Sequence, residues 1–120
     1  MDAQTPARRP LARALTILVT FAFASIAVAD CYSGGCADVY VDELYPDAGG
    51  AWIQTSGNEA LASCVVDSNV FLRLDGGAGF QAIYATLLAA QLGEKKVAIR
   101  IVEGSNPCRI SYVRLNRNNW

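Results

Sequence analysis

The chain has 120 residues, 52% of them apolar, with 10 basic and 11 acidic side chains, a formal net charge of −1 and no histidine. That length suits one domain. A near-balanced charge excludes a protein that coats nucleic acid through clustered cations, and the missing imidazole removes the commonest general base and metal ligand.

The first segment reads as a secretory signal. Arg8, Arg9 and Arg13 form a basic stretch, Ala14 to Ala29 is almost wholly apolar, and Ala27-Val28-Ala29 is a small-x-small cleavage site. A membrane anchor is the competing reading, but the apolar run falls short of the ~20 residues that span a bilayer. The expected arrangement is a signal peptide over 1–29 and one domain over 30–120. The mature protein would have no membrane span and would be periplasmic or secreted.

Four cysteines follow, at positions 31, 36, 64 and 108. An even number in a short exported chain points to disulfides. A zinc site would call for paired C-x-x-C spacings, which are absent. Of the three possible connectivities the favoured one joins Cys31 to Cys36 locally and Cys64 to Cys108 across the chain. A domain this small has a thin stability margin without such staples.

Ala37 to Leu44 alternates, with Ala37, Val39 and Val41 on one face and Asp38, Tyr40 and Asp42 on the other, as a half-buried strand does. Turn residues from Tyr45 to Gly50 end it, and Ala51 to Ser56 makes a second strand, giving a hairpin with a longish loop. Ala62 to Val66 and Val70 to Leu74 read as one bent strand. Asp75 to Gly79 breaks it without the Lys-Ser/Thr ending of a phosphate loop.

Phe80, Ile83, Tyr84, Leu87, Leu88 and Leu92 then repeat at helical spacing, with interspersed alanines. Gly93 stands where a left-handed helix cap is expected. Val97 to Val102 and Cys108 to Leu115 are the last two strands, and 117–120 is a polar tail.

The order β-β-β-α-β-β is that of a mainly β, five-stranded OB-fold-like barrel with one helix between strands 3 and 4, stapled by disulfides. In that plan the helix closes the open end of the barrel. An open sheet with a helix on one face uses the same elements.

Leu61-Ala62-Ser63-Cys64, the helix from Phe80 to Gln91, Gly93, Val97-Ala98-Ile99-Arg100 and the late Cys108 together carry a likeness. The chain resembles the B subunits of bacterial AB5 toxins of the subtilase-cytotoxin and pertussis type, and their small exported relatives. The resemblance implies an OB-fold subunit that binds glycan and assembles as a homo-pentamer. It also implies a glycan site near the first strand, matched by Ser33 with Asp30 and Tyr32. The family's aromatic on the strand after the helix is replaced by the aliphatic pair Ile101-Val102.

The residues themselves offer a second candidate surface. Sugars are bound by aromatic faces flanked by amides and carboxylates, and Trp52, Gln54, Tyr45 and Asn58 lie along the first hairpin and its turns. If Trp52 and Gln54 point outward, Ile53 and Thr55 point inward; the opposite arrangement makes Trp52 core. The serines have no histidine to activate them, and no carboxylate pair is framed by a cleft. The expectation is therefore an exported non-catalytic binding module for glycan or glycoprotein, with no cofactor and no metal. The alternative is a small periplasmic or secreted protein-interaction subunit with no sugar affinity.

Overall fold

The computed structural model describes residues 19–20 and 30–116. The expected signal segment, Val19 and Thr20 apart, and the tail at 117–120 lie outside the described residues. The rest is a small, mainly β domain with two antiparallel sheets and one α-helix. β1 (Asp30–Tyr32), β2 (Gly35–Val39), β6 (Val97–Ile101) and β7 (Ile110–Arg114) form one sheet in the order β1-β2-β6-β7. β3 (Val41–Asp47), β4 (Gly50–Thr55) and β5 (Leu72–Asp75) form the other.

The expected strand over 37–44 is divided between the two sheets. Cys36 faces Ile99 and Val39 faces Val97, so Ala37 and Asp38 together stand opposite Ala98. Asp38 adopts φ 57° to absorb the extra residue. Such a bulge bends and twists the strand, and the chain leaves one sheet at Val39 and enters the other at Val41. The expected sidedness holds after the bulge, where Val39 and Val41 are buried while Tyr40 and Asp42 are exposed, but not within it: Asp38, expected on the exposed face, is partly buried and its Oδ1 is enclosed.

Two further differences have local causes. Cys31 to Cys36, expected only as a local cross-link, is a two-stranded ribbon with Cys31 opposite Cys36, turning at Ser33-Gly34 and cross-linked by the Cys31–Cys36 disulfide. The hairpin between β3 and β4 is also tighter than expected. Asp47 pairs with Gly50, leaving a two-residue turn at Ala48-Gly49, and the Asp47 carboxylate accepts from Gly49 N–H at 2.8 Å. Pro46 misleads because it lies within β3, an edge strand, where a missing N–H is tolerated.

Ala62 to Val66 is not a strand. Glu59–Leu61 is a 3-10 turn capped by Asn58, whose side chain accepts from Ala60 N–H. The following residues find backbone partners in separate segments: Ser63 N–H donates to Ser33, Val65 N–H to Ser105, and Cys108 N–H to Val65. The Cys64–Cys108 disulfide pins this loop. Glu59 is 2% exposed, and its carboxylate accepts from Thr55 N–H at 2.5 Å and Thr55 Oγ1 at 2.8 Å. Those bonds satisfy a buried charge and lash the loop to β4.

The helix α1 (Phe80–Leu92) has the expected bounds. It packs on β3, β5 and β7, strands from both sheets. Leu87 and Ala90 are buried, and Phe80, Ile83 and Tyr84 pack against the core from its margin. Leu92, assigned to the inner face by its spacing, is 77% exposed. The cap is shifted by one residue. Gly93 has φ −85°, and Glu94, at φ 51°, takes the left-handed position. Lys95 N–H then reaches the Ala90 carbonyl and Glu94 N–H the Gln91 carbonyl, the bonding of a Schellman motif.

Ile53, Leu72, Leu87, Ile99, Val39 and Val97 are among the fully buried side chains between the sheets and the helix. The sheets are joined through the chain at Tyr40. On the far side they touch at a parallel bridge between Arg73 and Arg109, where Arg73 N–H donates to the Cys108 carbonyl at 2.7 Å.

Candidate functional site

The outer face of the three-stranded sheet carries one candidate site. Along β4, Ala51, Ile53 and Thr55 are buried while Trp52 and Gln54 are half-exposed, so the indole points out and Ile53 forms the core. Register aligns Tyr45, Trp52 and Arg73 across β3, β4 and β5, with Arg109 next at the bridge. Glu43 pairs with Gln54 in the neighbouring row.

Arg73 organises this face. Its guanidinium makes a bidentate pair with Asp47, NH1 to Oδ2 at 2.8 Å and NH2 to Oδ1 at 3.1 Å. Its Cζ lies 4.6 Å from the centroid of the Trp52 ring, within cation–π range. Trp52 Nε1–H donates to Asp47 Oδ2 at 3.2 Å. Gly50 makes room for this cluster, since a Cβ there would stand 3.0 Å from the guanidinium. The Arg73 hydrogen bonds, helped by Gly49 N–H, hold the Asp47 carboxyl far below the usual carboxylate range, and Asp47 in turn raises Arg73. Asp75 lies 3.8 Å from Arg73 and 3.5 Å from Arg109, and the Tyr45 and Phe71 rings meet edge to face at 5.5 Å. The result is an indole locked in orientation, flanked by a phenol, an amide and fixed charges. Rigid amphipathic surfaces of this kind bind at low cost in ordering.

The other candidate residues lie on the four-stranded sheet and do not join this group. The Asp30 carboxylate is engaged structurally: Oδ1 accepts from Cys31 N–H and Asn58 N–H, each at 2.7 Å. Those bonds, Asn58 first, lower its pKa. Asn58 is thereby placed beside β1 rather than beside Trp52. Tyr32 and Ser33 are exposed, and the Ser33 hydroxyl has no hydrogen-bond partner among the described residues. Arg100, opposite Gly35 in β6, lays its guanidinium over Gly34, and a side chain on Gly34 would collide with both that guanidinium and the Tyr32 ring. Ile101 N–H donates to the Gly34 carbonyl at 3.1 Å, so the strand after the helix does border the Ser33 turn.

Arg73, Asp47 and Arg100 are the residues that sequence reasoning missed. Nothing local marks them; only cross-strand register puts Arg73 beside Trp52 and Arg100 beside Tyr32.

Acid should reveal the two engaged carboxylates. A carboxyl whose folded pKa is depressed adds stability above its unfolded value, about 3.9, and loses it as pH falls through the lower folded value. The urea midpoint of the protein should therefore drop below about pH 4, and Asp30→Asn and Asp47→Asn should each start lower at pH 7 and drop less. Parallel pH profiles for all three proteins would show that neither carboxylate contributes.

No known family model matches the chain, and no curated protein matches it in sequence. Among the described residues no helix is long and apolar enough to cross a membrane, and no group of three or more Cys, Asp or Glu side chains could hold a metal ion.

Proposed function

We propose that this chain is an exported, non-catalytic binding module of the OB type, related to the B subunits of AB5 toxins, that engages glycan or glycoprotein. The carrying observation is the outward Trp52 indole, fixed by Asp47 and Arg73 between Tyr45 and Gln54. Sugar C–H faces stack on such a ring while amides and carboxylates hold the hydroxyls. Three supports come from the architecture. The two disulfides suit an oxidising compartment. The two sheets meet at a single parallel bridge between β5 and the segment leading into β7, a contact that an OB-type arrangement would use as its seam. The exposed Tyr32-Ser33 turn, with Arg100 against it, adds a hydroxyl and a cation where the toxin resemblance puts a glycan.

A glycan array followed by NMR titration tests the reading. The expected result is a saturable, sugar-dependent shift of the Trp52 indole N–H resonance that Tyr45→Ala weakens about tenfold, the loss of one aromatic contact at a binding surface. If sugars leave the Trp52 and Ser33 signals still while a protein partner is retained at fixed stoichiometry, the module is a protein-interaction subunit instead.

A further inference from the structure

We infer that the groove between the β2–β3 junction and the C-terminal end of α1 is a second subsite, specific for a neutral sugar unit. The inference rests on the glycan reading above and assigns it a place and a charge preference. The groove is open to solvent, with a volume of about 620 Å³. Its lining is Tyr40, Val41, Asp42, Ala90, Gln91 and Glu94.

Each part is held by a feature of the fold. The bulge at Asp38 turns Tyr40 out of both sheets, leaving it 44% exposed. Lys96 braces its ring, with Nζ 5.6 Å from the centroid and 3.6 Å from Asp38 Oδ2. Val41 and Ala90 are buried and form an apolar floor. Gln91 Nε2 donates to the Asp42 carbonyl at 3.3 Å, which fixes the amide and turns its oxygen away from that bond. Glu94 occupies the left-handed cap position, so its backbone at the end of the helix is set by the Schellman bonds.

The chemistry selects the ligand. An aromatic face beside apolar floor atoms suits the C–H side of a pyranose, and two carboxylates with an amide oxygen accept hydrogen bonds from its hydroxyls. Neither Asp42 nor Glu94 is in an ion pair among the described residues. Lys96, the cation at the Tyr40 ring, is offset by Asp38, so a sugar bearing its own carboxylate would meet Asp42 and Glu94 as like charges and bind more weakly. The groove also lies on the strand that carries the first site. Asp42 lies at the irregular start of β3, and Tyr45 lies further along the same strand.

Amide spectra of the oxidised full chain, titrated separately with the methyl glycosides of galactose, glucose and mannose, with N-acetylneuraminic acid and with 1,4-diaminobutane, decide the matter. At least one neutral glycoside should shift residues 40–42 and 91–94 saturably. N-acetylneuraminic acid should act there at least about tenfold more weakly. Tyr40→Ala and Gln91→Ala should each abolish the shift, whereas Leu92→Ala, on the solvent side of the same helix, should keep it. A response confined to Trp52 overturns the groove and spares the glycan reading. Silence at both places overturns both. A response of the groove to diaminobutane alone makes it a cation site and ends the sugar assignment.

Discussion

Changing Cys64 and Cys108 together to serine is expected to cost about 4 kcal/mol of folding stability, the loop-closure value for a cross-link spanning 44 residues. Against a total of roughly 5–15 kcal/mol for a domain, that loss is at least about a quarter of the stability. The cost is large for a structural reason as well. The segment after Glu59–Leu61 has no strand of its own and is held by isolated backbone bonds to Ser33, Gly104, Ser105 and Cys108, so freeing Cys64 removes the one covalent anchor of a loop whose only other strong tether is at Glu59. Paired serines at Cys31 and Cys36, only five residues apart, should cost about 2 kcal/mol by the same relation. Urea unfolding of both variants measures the difference, and equal losses would refute the chain-entropy account of the long bridge.

Leu87→Ala should be nearly as severe, at about 3–4 kcal/mol, in the range for truncating a fully buried leucine. Leu87 is 0% exposed at the centre of α1, and α1 packs on strands of both sheets. A cavity there undermines each sheet's contact with the helix. Leu92→Ala on the same helix should change stability by less than about 0.5 kcal/mol, since Leu92 lies in solvent. Comparable losses for the two would mean that the outer face of the helix is covered in solution.

The contrast between these leucines shows what the sequence could express. Spacing located α1 to the residue, because Phe80, Ile83, Tyr84 and Leu87 follow the helical repeat. It could not say where the buried stripe ends, since alanines and leucines surround the helix and an apolar residue one turn further on looks the same. Alternation located Val39 and Val41 as buried on either side of the bend, but left open which face of β4 is core. The bend itself was hidden, because Asp38 carries the positive φ with no glycine to announce it. The Ala62–Val66 error arose from reading an apolar run as a strand when its buried positions are set by a disulfide and scattered backbone bonds. At the candidate site, Trp52 and Gln54 were visible as a pair, and their outward orientation followed once Ile53 was core. Their partners Arg73 and Asp47 come from β5 and the end of β3, and no one-dimensional pattern links these two, 26 positions apart.

The division of the first long strand at Tyr40 also bears on how the molecule reaches its native state. β2 pairs with β6, so Cys36 finds Ile99 across some sixty intervening residues, and the sheet holding the N-terminal ribbon stays incomplete until that late segment arrives. Contacts of such separation make assembly slow and all-or-none. A chain built this way can complete its four-stranded sheet only when nearly its whole length is available.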